Sequence, residues 1–205
     1  MVDQQLAARG IADPRVLDAM RNVPRHWFVP ADQASRAYDD APLPIGFDQT
    51  ISQPYIVALM TELLAVRPGD KILEIGTGSG YQAAVLAELT PHVFTIEIVE
   101  QLARRTIELL KDKHYDTVQA RIGDGFRGWP EQAPFDGIIV TCAAPQPPQP
   151  LIDQLRAGGR LVIPVGRGHW GQELLVLTKR PDGGLASRVV APVAFVPMTG
   201  EAQKK

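Results

Sequence analysis

The sequence predicts an α/β chain built on a doubly wound, mainly parallel sheet. Short apolar runs alternate with amphipathic helical patterns from residue 69 onward. The stretch "LEIGTGSGYQAAVLAEL" (73–89) joins strand, glycine turn and helix. The segment "FDGIIV" (135–140) is nearly all apolar, as a strand buried on both faces must be. Such alternation, with right-handed crossovers, gives a parallel sheet covered by helices.

Each element follows from its pattern. "KILEI" (71–75) is a strand and 81–89 a helix. "VFTIE" (93–97) is the second strand, followed by a helix over 99–113 with Leu102, Ile107 and Leu110 on one face. Strands follow at "TVQARIG" (117–123) and 135–140, then a helix over 149–156 that stops at Gly158-Gly159. "RLVIPVG" (160–166) is the fifth strand. Two more β segments, 172–179 and 187–196, flank the turn "RPDGG" (180–184) and form an antiparallel C-terminal edge. Before the sheet, helices at 14–21 and 54–65 bracket the irregular stretch 23–52, an N-terminal cap over a site. The proline-rich "APQPPQP" (144–150) reads as a stiff loop. We expect one domain over 1–205, with 1–68 as cap and substrate segment and 69–200 as ligand-binding sheet.

Composition narrows the function. Of 205 residues, 45% are hydrophobic and 21% charged, with a net charge of −2, so no basic excess points to nucleic acid. The one cysteine, Cys142, cannot form an internal disulfide and suits a reducing compartment. The first residues carry no basic-then-apolar signal pattern, and no apolar run reaches the roughly 18 residues that span a bilayer. The expected setting is cytoplasmic, without a membrane partner, and the expected state is a monomer.

Spacing eliminates several readings of the glycine turn. A P-loop needs a lysine after the last glycine, and none follows. A nucleophile elbow around Ser79 needs glycines at 77 and 81, which are Thr77 and Tyr81. The dinucleotide fingerprint also needs glycine at 81. What remains, Gly76-Thr77-Gly78-Ser79-Gly80, suits a ligand without a pyrophosphate. Glu97, at the end of the second strand, can accept both hydroxyls of a ribose. Asp124, in "GDG" after the third strand, can accept from an exocyclic adenine amine. Carboxylates at both points with no phosphate-binding cation match an adenosyl ligand such as S-adenosylmethionine. The histidines at 26, 92, 114 and 169 are scattered, so no metal site is expected. Cys142 has no partner base and reads as a small buried filler. Locally, Ser52 reads as an N-cap with Pro54 in the first helical turn.

The quoted motifs, with "VPRHWFVP" (23–30), "YDDAPLPIG" (38–46), "QTISQPYIVA" (49–58), "LIDQLRAGGRLVIPVG" (151–166) and "FVPMTG" (195–200), resemble the protein-L-isoaspartate O-methyltransferase family over roughly residues 5–200. The resemblance implies a Rossmann-like methyltransferase sheet and methyl transfer from S-adenosylmethionine to the α-carboxylate of isoaspartyl residues in damaged proteins and peptides, leaving S-adenosylhomocysteine. It implies Ser52 as the active-site hydroxyl, with Thr50, Ile51 and Gln53 beside it on cofactor and substrate. It further implies Gly76, Thr77, Gly78 and Gly80 at the methionine portion, Glu97 at the ribose and Asp124 with Gly125 at the adenine. Val196 and Pro197 would flank the peptide, with Thr199 near the cofactor. The chain departs from the pattern at Asp48, where many members carry glycine, and at Cys142, where alanine or glycine is expected. A different methyl acceptor, a non-catalytic S-adenosylmethionine or nucleotide sensor, and a dehydrogenase are the competing readings. The first two would not need the 23–54 segment, and the third is disfavoured by Tyr81.

Overall fold

A computed structural model describes residues 1–167 and 171–204, the side chain of Lys204 excepted. The helices are α1 (Pro14–Asn22), α2 (Pro54–Leu64), α3 (Tyr81–Ala87), α4 (Glu100–Asp112) and α5 (Gln149–Asp153). The strands are β1 (Leu43–Gly46), β2 (Gln49–Ile51), β3 (Lys71–Ile75), β4 (His92–Glu97), β5 (Val118–Ile122), β6 (Phe135–Val140), β7 (Leu155–Val165), β8 (Gln172–Lys179) and β9 (Leu185–Val193). Seven strands form one sheet in the order β5-β4-β3-β6-β7-β8-β9. The first five are parallel, and β8 and β9 add the antiparallel edge. The predicted sheet is therefore present. Its strand order reverses between β3 and β6, the place where α/β sheets open a crevice beyond their carboxyl ends.

Apolar packing fixes that crevice on both sides. Leu73, Ile75, Phe94, Ile96, Ile138 and Val140 fill one face, and Ile72, Val93, Ile139 and Val162 fill the other beneath α2 and α3. The strands carry apolar residues at consecutive positions because each strand is covered twice.

Three local expectations change. The stretch 23–52 contains a two-stranded antiparallel sheet, β1 with β2. Its two-residue turn, Phe47-Asp48, has φ of +55° and +56°. Hairpin turns of this hand favour Asn-Gly, which this turn lacks, so no sequence signal marked it. The departure at Asp48 thus falls on a left-handed position that glycine would occupy with less strain. Second, the helix read to 156 stops at Asp153, and Gly158-Gly159 lie inside β7. The Phe135 N–H donates to the Gln154 carbonyl at 2.9 Å, and the register then slips before Gly137 pairs with Arg160. The glycines serve this slip, since a Cβ on Gly159 would stand 2.9 Å from the Asp136 carbonyl oxygen. Third, the N-cap of α2 is Gln53, not Ser52, and no side chain of that residue caps the helix.

Candidate active site

The glycine turn sits at the end of β3 and bends because its three glycines all have positive φ, +94° at Gly76, +53° at Gly78 and +89° at Gly80. Two of them also have no room for a side chain. A Cβ on Gly76 would lie 2.5 Å from Thr141 Oγ1, and one on Gly80 would lie 2.8 Å from Thr106 Cγ2. Thr106 Oγ1 donates to the Gly78 carbonyl at 2.6 Å, which ties the turn to α4. The Thr77 hydroxyl faces inward and shares a 2.6 Å hydrogen bond with Thr95.

Glu97 closes the crevice at the end of β4. Its two oxygens accept from the Gly78 and Val99 N–H groups, each at 2.9 Å. A carboxylate has about four acceptor sites, so two remain for a vicinal diol. Asp124 accepts from Phe126 N at 2.9 Å through one oxygen and from Glu201 N at 2.8 Å through the other. It thereby pins the C-terminal segment against the loop after β5. That segment is also held to the end of β6: the Ala143 N–H donates to the Val196 carbonyl, and the Met198 N–H to the Ala143 carbonyl, each at 2.8 Å.

The cavity so formed is lined by Thr50, Gly76, Gly78, Glu97, Gly125 and Thr199 among the predicted cofactor residues, and by Val196 and Pro197. Among the described residues, none that line it is lysine or arginine. A glycine cradle, a carboxylate with spare acceptor sites and no phosphate-binding cation fit an adenosyl ligand without phosphates. Thr77 and Ile51 lie on a smaller adjoining recess, with Ser52 and Glu74. Gly80 packs behind the turn, and Asp124 lies beside Gly125 without lining the cavity.

A second, larger groove of about 610 Å³ opens beside it, within the range of ligand-binding sites. Ser52, Gln53, Ile56, Pro192, Phe195 and Val196 are among its walls. Gln53 thus faces this groove and not the adenosyl cavity. Thr50 and Thr141 line the cavity, the recess and the groove alike, so the three spaces meet there. The Ser52 hydroxyl takes part in no hydrogen bond among the described residues. Freed from capping, it remains available to a ligand.

Sequence reading missed four contributors. Thr141, whose hydroxyl donates to the Gly76 carbonyl at 2.6 Å, follows β6 and was signalled only by its place at a strand end. Gln172 accepts from Phe195 N at 2.7 Å and donates to its carbonyl at 3.1 Å, bracing the groove wall. Asp40 hydrogen-bonds Gln53 from a loop with no regular period. Glu74 is fully buried on β3; Thr95 donates to its Oε2 at 2.5 Å and its Oε1 has no partner among the described residues. Burial, and then the like charge of Glu97, push its carboxyl up to about 8. Cys142 also lines the adenosyl cavity and is half-buried there, not fully buried as expected; burial, with the charges of Glu97 and Asp124, raises its thiol to about 12, which disfavours the thiolate. Among the described residues no group of three or more His, Cys, Asp or Glu could hold a metal ion. No helix among them is long and apolar enough to cross a membrane.

The family model described as protein-L-isoaspartate(D-aspartate) O-methyltransferase matches residues 1–203. A protein-L-isoaspartate O-methyltransferase 2 of Polaromonas sp. is 58% identical over 92% of this chain and 90% of its own length. The protein-L-isoaspartate O-methyltransferase of Gloeobacter violaceus is 55% identical over 98% of both chains. Among solved structures, a Plasmodium falciparum protein assigned the same activity, crystallised with S-adenosyl-L-homocysteine, superposes with a TM-score of 0.83 at 26% identity, covering 97% of this chain and 96% of that one.

Proposed function

This chain belongs to the protein-L-isoaspartate(D-aspartate) O-methyltransferase family, and from that premise we propose that Ser52 is its active-site hydroxyl, at the junction of an adenosyl cavity and a peptide groove. The enzyme uses S-adenosylmethionine to methylate the α-carboxylate of isoaspartyl residues in damaged proteins. The observation that carries the site reading is the meeting of the two spaces at Thr50 and Thr141, with the unengaged Ser52 hydroxyl on the groove side.

S-adenosylmethionine supplies the methyl group, on a sulfonium whose departure as a thioether needs no proton. Glu97 would hold the ribose, Gly76 and Gly78 the methionine portion and Gly125 the adenine, while Thr77 and Gly80 shape the turn and Asp124 anchors the loop around Gly125. Thr50 and Thr199 close over the ligand, while Ile51 packs into the core. An α-carboxylate with a pKa near ~3.5 is ionised at neutral pH, so this chain supplies no general base. Its task is alignment: Ser52 donates its hydroxyl hydrogen to one carboxylate oxygen and leaves the other to attack. Val196 and Pro197 keep the acceptor at the mouth of the cavity, and proximity of this kind contributes several kcal/mol. The neighbouring backbone amide nitrogen then attacks the ester carbonyl, closing a succinimide and releasing methanol that carries the amide proton, and hydrolysis of the succinimide returns part of the chains to aspartate.

The whole chain acts as one catalytic unit, with residues 1–68 as cap and substrate wall and 69–200 as the cofactor-binding sheet. We assign it to the cytoplasm as a monomer. Ser52→Ala tests the central residue. The lost hydrogen bond to a charged group should slow transfer by about 10- to 100-fold. Melting temperature and S-adenosylhomocysteine affinity should be unchanged, because the hydroxyl has no partner in the fold. Unchanged transfer, or a fall in stability of the size of a lost helix cap, would overturn the assignment.

A further inference from the structure

Asp40 lies at the N-terminal end of α2, where the helix dipole favours negative charge. Its Oδ2 accepts from Gln53 Nε2 at 2.7 Å and from Arg9 Nη1 at 2.5 Å. Its Oδ1 accepts from the Tyr55 N–H at 3.4 Å. Arg9 in turn lies over the Tyr55 ring, its Cζ 3.6 Å from the centroid, so the carboxylate is held from the outer side as well. An ionised carboxylate only accepts hydrogen bonds, and this settles the orientation of the Gln53 amide. Its NH₂ must face Asp40. Its Oε1 has no partner among the described residues, on a side chain that lines the groove next to Ser52.

We propose that Asp40 turns Gln53 so that its Oε1 accepts a hydrogen bond from the isoaspartyl residue's own backbone N–H, making Gln53 a substrate-binding residue and Asp40 the positioning residue behind it. This rests on the reading of the groove as the peptide site. A free carbonyl oxygen repels a carboxylate and attracts an amide N–H. Two consecutive residues therefore offer opposite polarity, the Ser52 hydroxyl hydrogen for the α-carboxylate and the Gln53 oxygen for the N–H. In an isoaspartyl residue these two groups share one carbon. In a normal aspartyl residue the carboxylate sits one methylene further from the N–H. The pair Ser52-Gln53 thus measures the feature that distinguishes damaged from intact chain.

The test is a cycle between enzyme and substrate. Wild type, Gln53→Ala and Asp40→Asn are assayed with one isoaspartyl peptide and with the same peptide N-methylated at the isoaspartyl nitrogen. One net hydrogen bond corresponds to about a five- to tenfold rise in KM for wild type on N-methylation. Gln53→Ala should raise KM for the parent peptide by a similar factor and show no further penalty for the methylated one. Its kcat and S-adenosylhomocysteine affinity should stay within about twofold. In Asp40→Asn the new amide can donate to Gln53 Oε1 and let the NH₂ face the groove. The sensitivity to N-methylation should then disappear, a change that mere loss of a structural contact would not cause. An N-methyl penalty of the same size in all three enzymes would overturn the proposal, as would an unchanged KM in Gln53→Ala. Failure of wild type to methylate the parent peptide at all would instead refute the functional reading beneath it.

Discussion

Replacing Glu74 by glutamine should flatten the dependence of stability on pH. The wild-type carboxyl is fully buried, with Thr95 on one oxygen and no partner among the described residues on the other, and its pKa rises from 4.5 to about 8. Burial is the main cause; the Thr95 hydrogen bond offsets part of it and the like charge of Glu97 adds to it. Below about pH 4.5 both folded and unfolded chains hold the proton, and stability is greatest as far as this residue is concerned. Between 4.5 and about 8 the folded chain holds it and the unfolded chain does not, so stability falls as pH rises. Each pH unit inside that window costs about 1.4 kcal/mol, and linkage between pH 5.5 and 7.5 gives a loss of about 2.5 kcal/mol from this residue. Glutamine keeps the acceptor for Thr95 and carries no titrating proton. Urea unfolding of both proteins at the two pH values, without cofactor, measures the change in their stability difference, in which the other titrating groups cancel. A gain for the variant of about 2.5 kcal/mol on going from pH 5.5 to 7.5 is expected. A difference that stays flat would refute the account, since Glu74 would then be ionised in the folded chain and must have a partner.

Two further substitutions probe the backbone of the site. Gly80→Ala places a Cβ 2.8 Å from Thr106 Cγ2 at a φ of +89°, and should cost about 1–3 kcal/mol by thermal or urea unfolding. Because Thr106 also holds Gly78, calorimetric titration should show weaker S-adenosylhomocysteine binding by the same variant. Asp48→Gly relieves the left-handed strain at the β1–β2 turn and should stabilise by about 0.5–1 kcal/mol, a rise of about 1–4 °C in melting temperature.

The sheet was legible because each strand has an apolar run and each helix a periodic face, both consequences of burial. The glycine turn and Glu97 were legible because their positions follow from where strands end. What escaped reading depends on long-range contact. Nothing local marks β1 and β2, whose turn residues are poor choices for positive φ. Gly158-Gly159 looked like a helix stop because glycine ends helices often, and only the pairing of Phe135 with Leu155 shows that they sit in a strand slip. Ser52 before Pro54 has the local signature of a cap, yet the cap position is Gln53 and the Ser52 hydroxyl takes part in no hydrogen bond among the described residues. Thr141 and Asp40 enter the site from β6 and from an irregular loop, 89 and 12 residues from Ser52 in sequence.

The most direct measurement is transfer of labelled methyl from S-adenosylmethionine to one synthetic peptide made with an isoaspartyl and with a normal aspartyl linkage, using wild type and Ser52→Ala. Label on the isoaspartyl peptide alone, strongly reduced in the variant, is the predicted result. Equal label on both peptides, or none on either while S-adenosylhomocysteine still binds, would contradict the account of the groove as an isoaspartyl site.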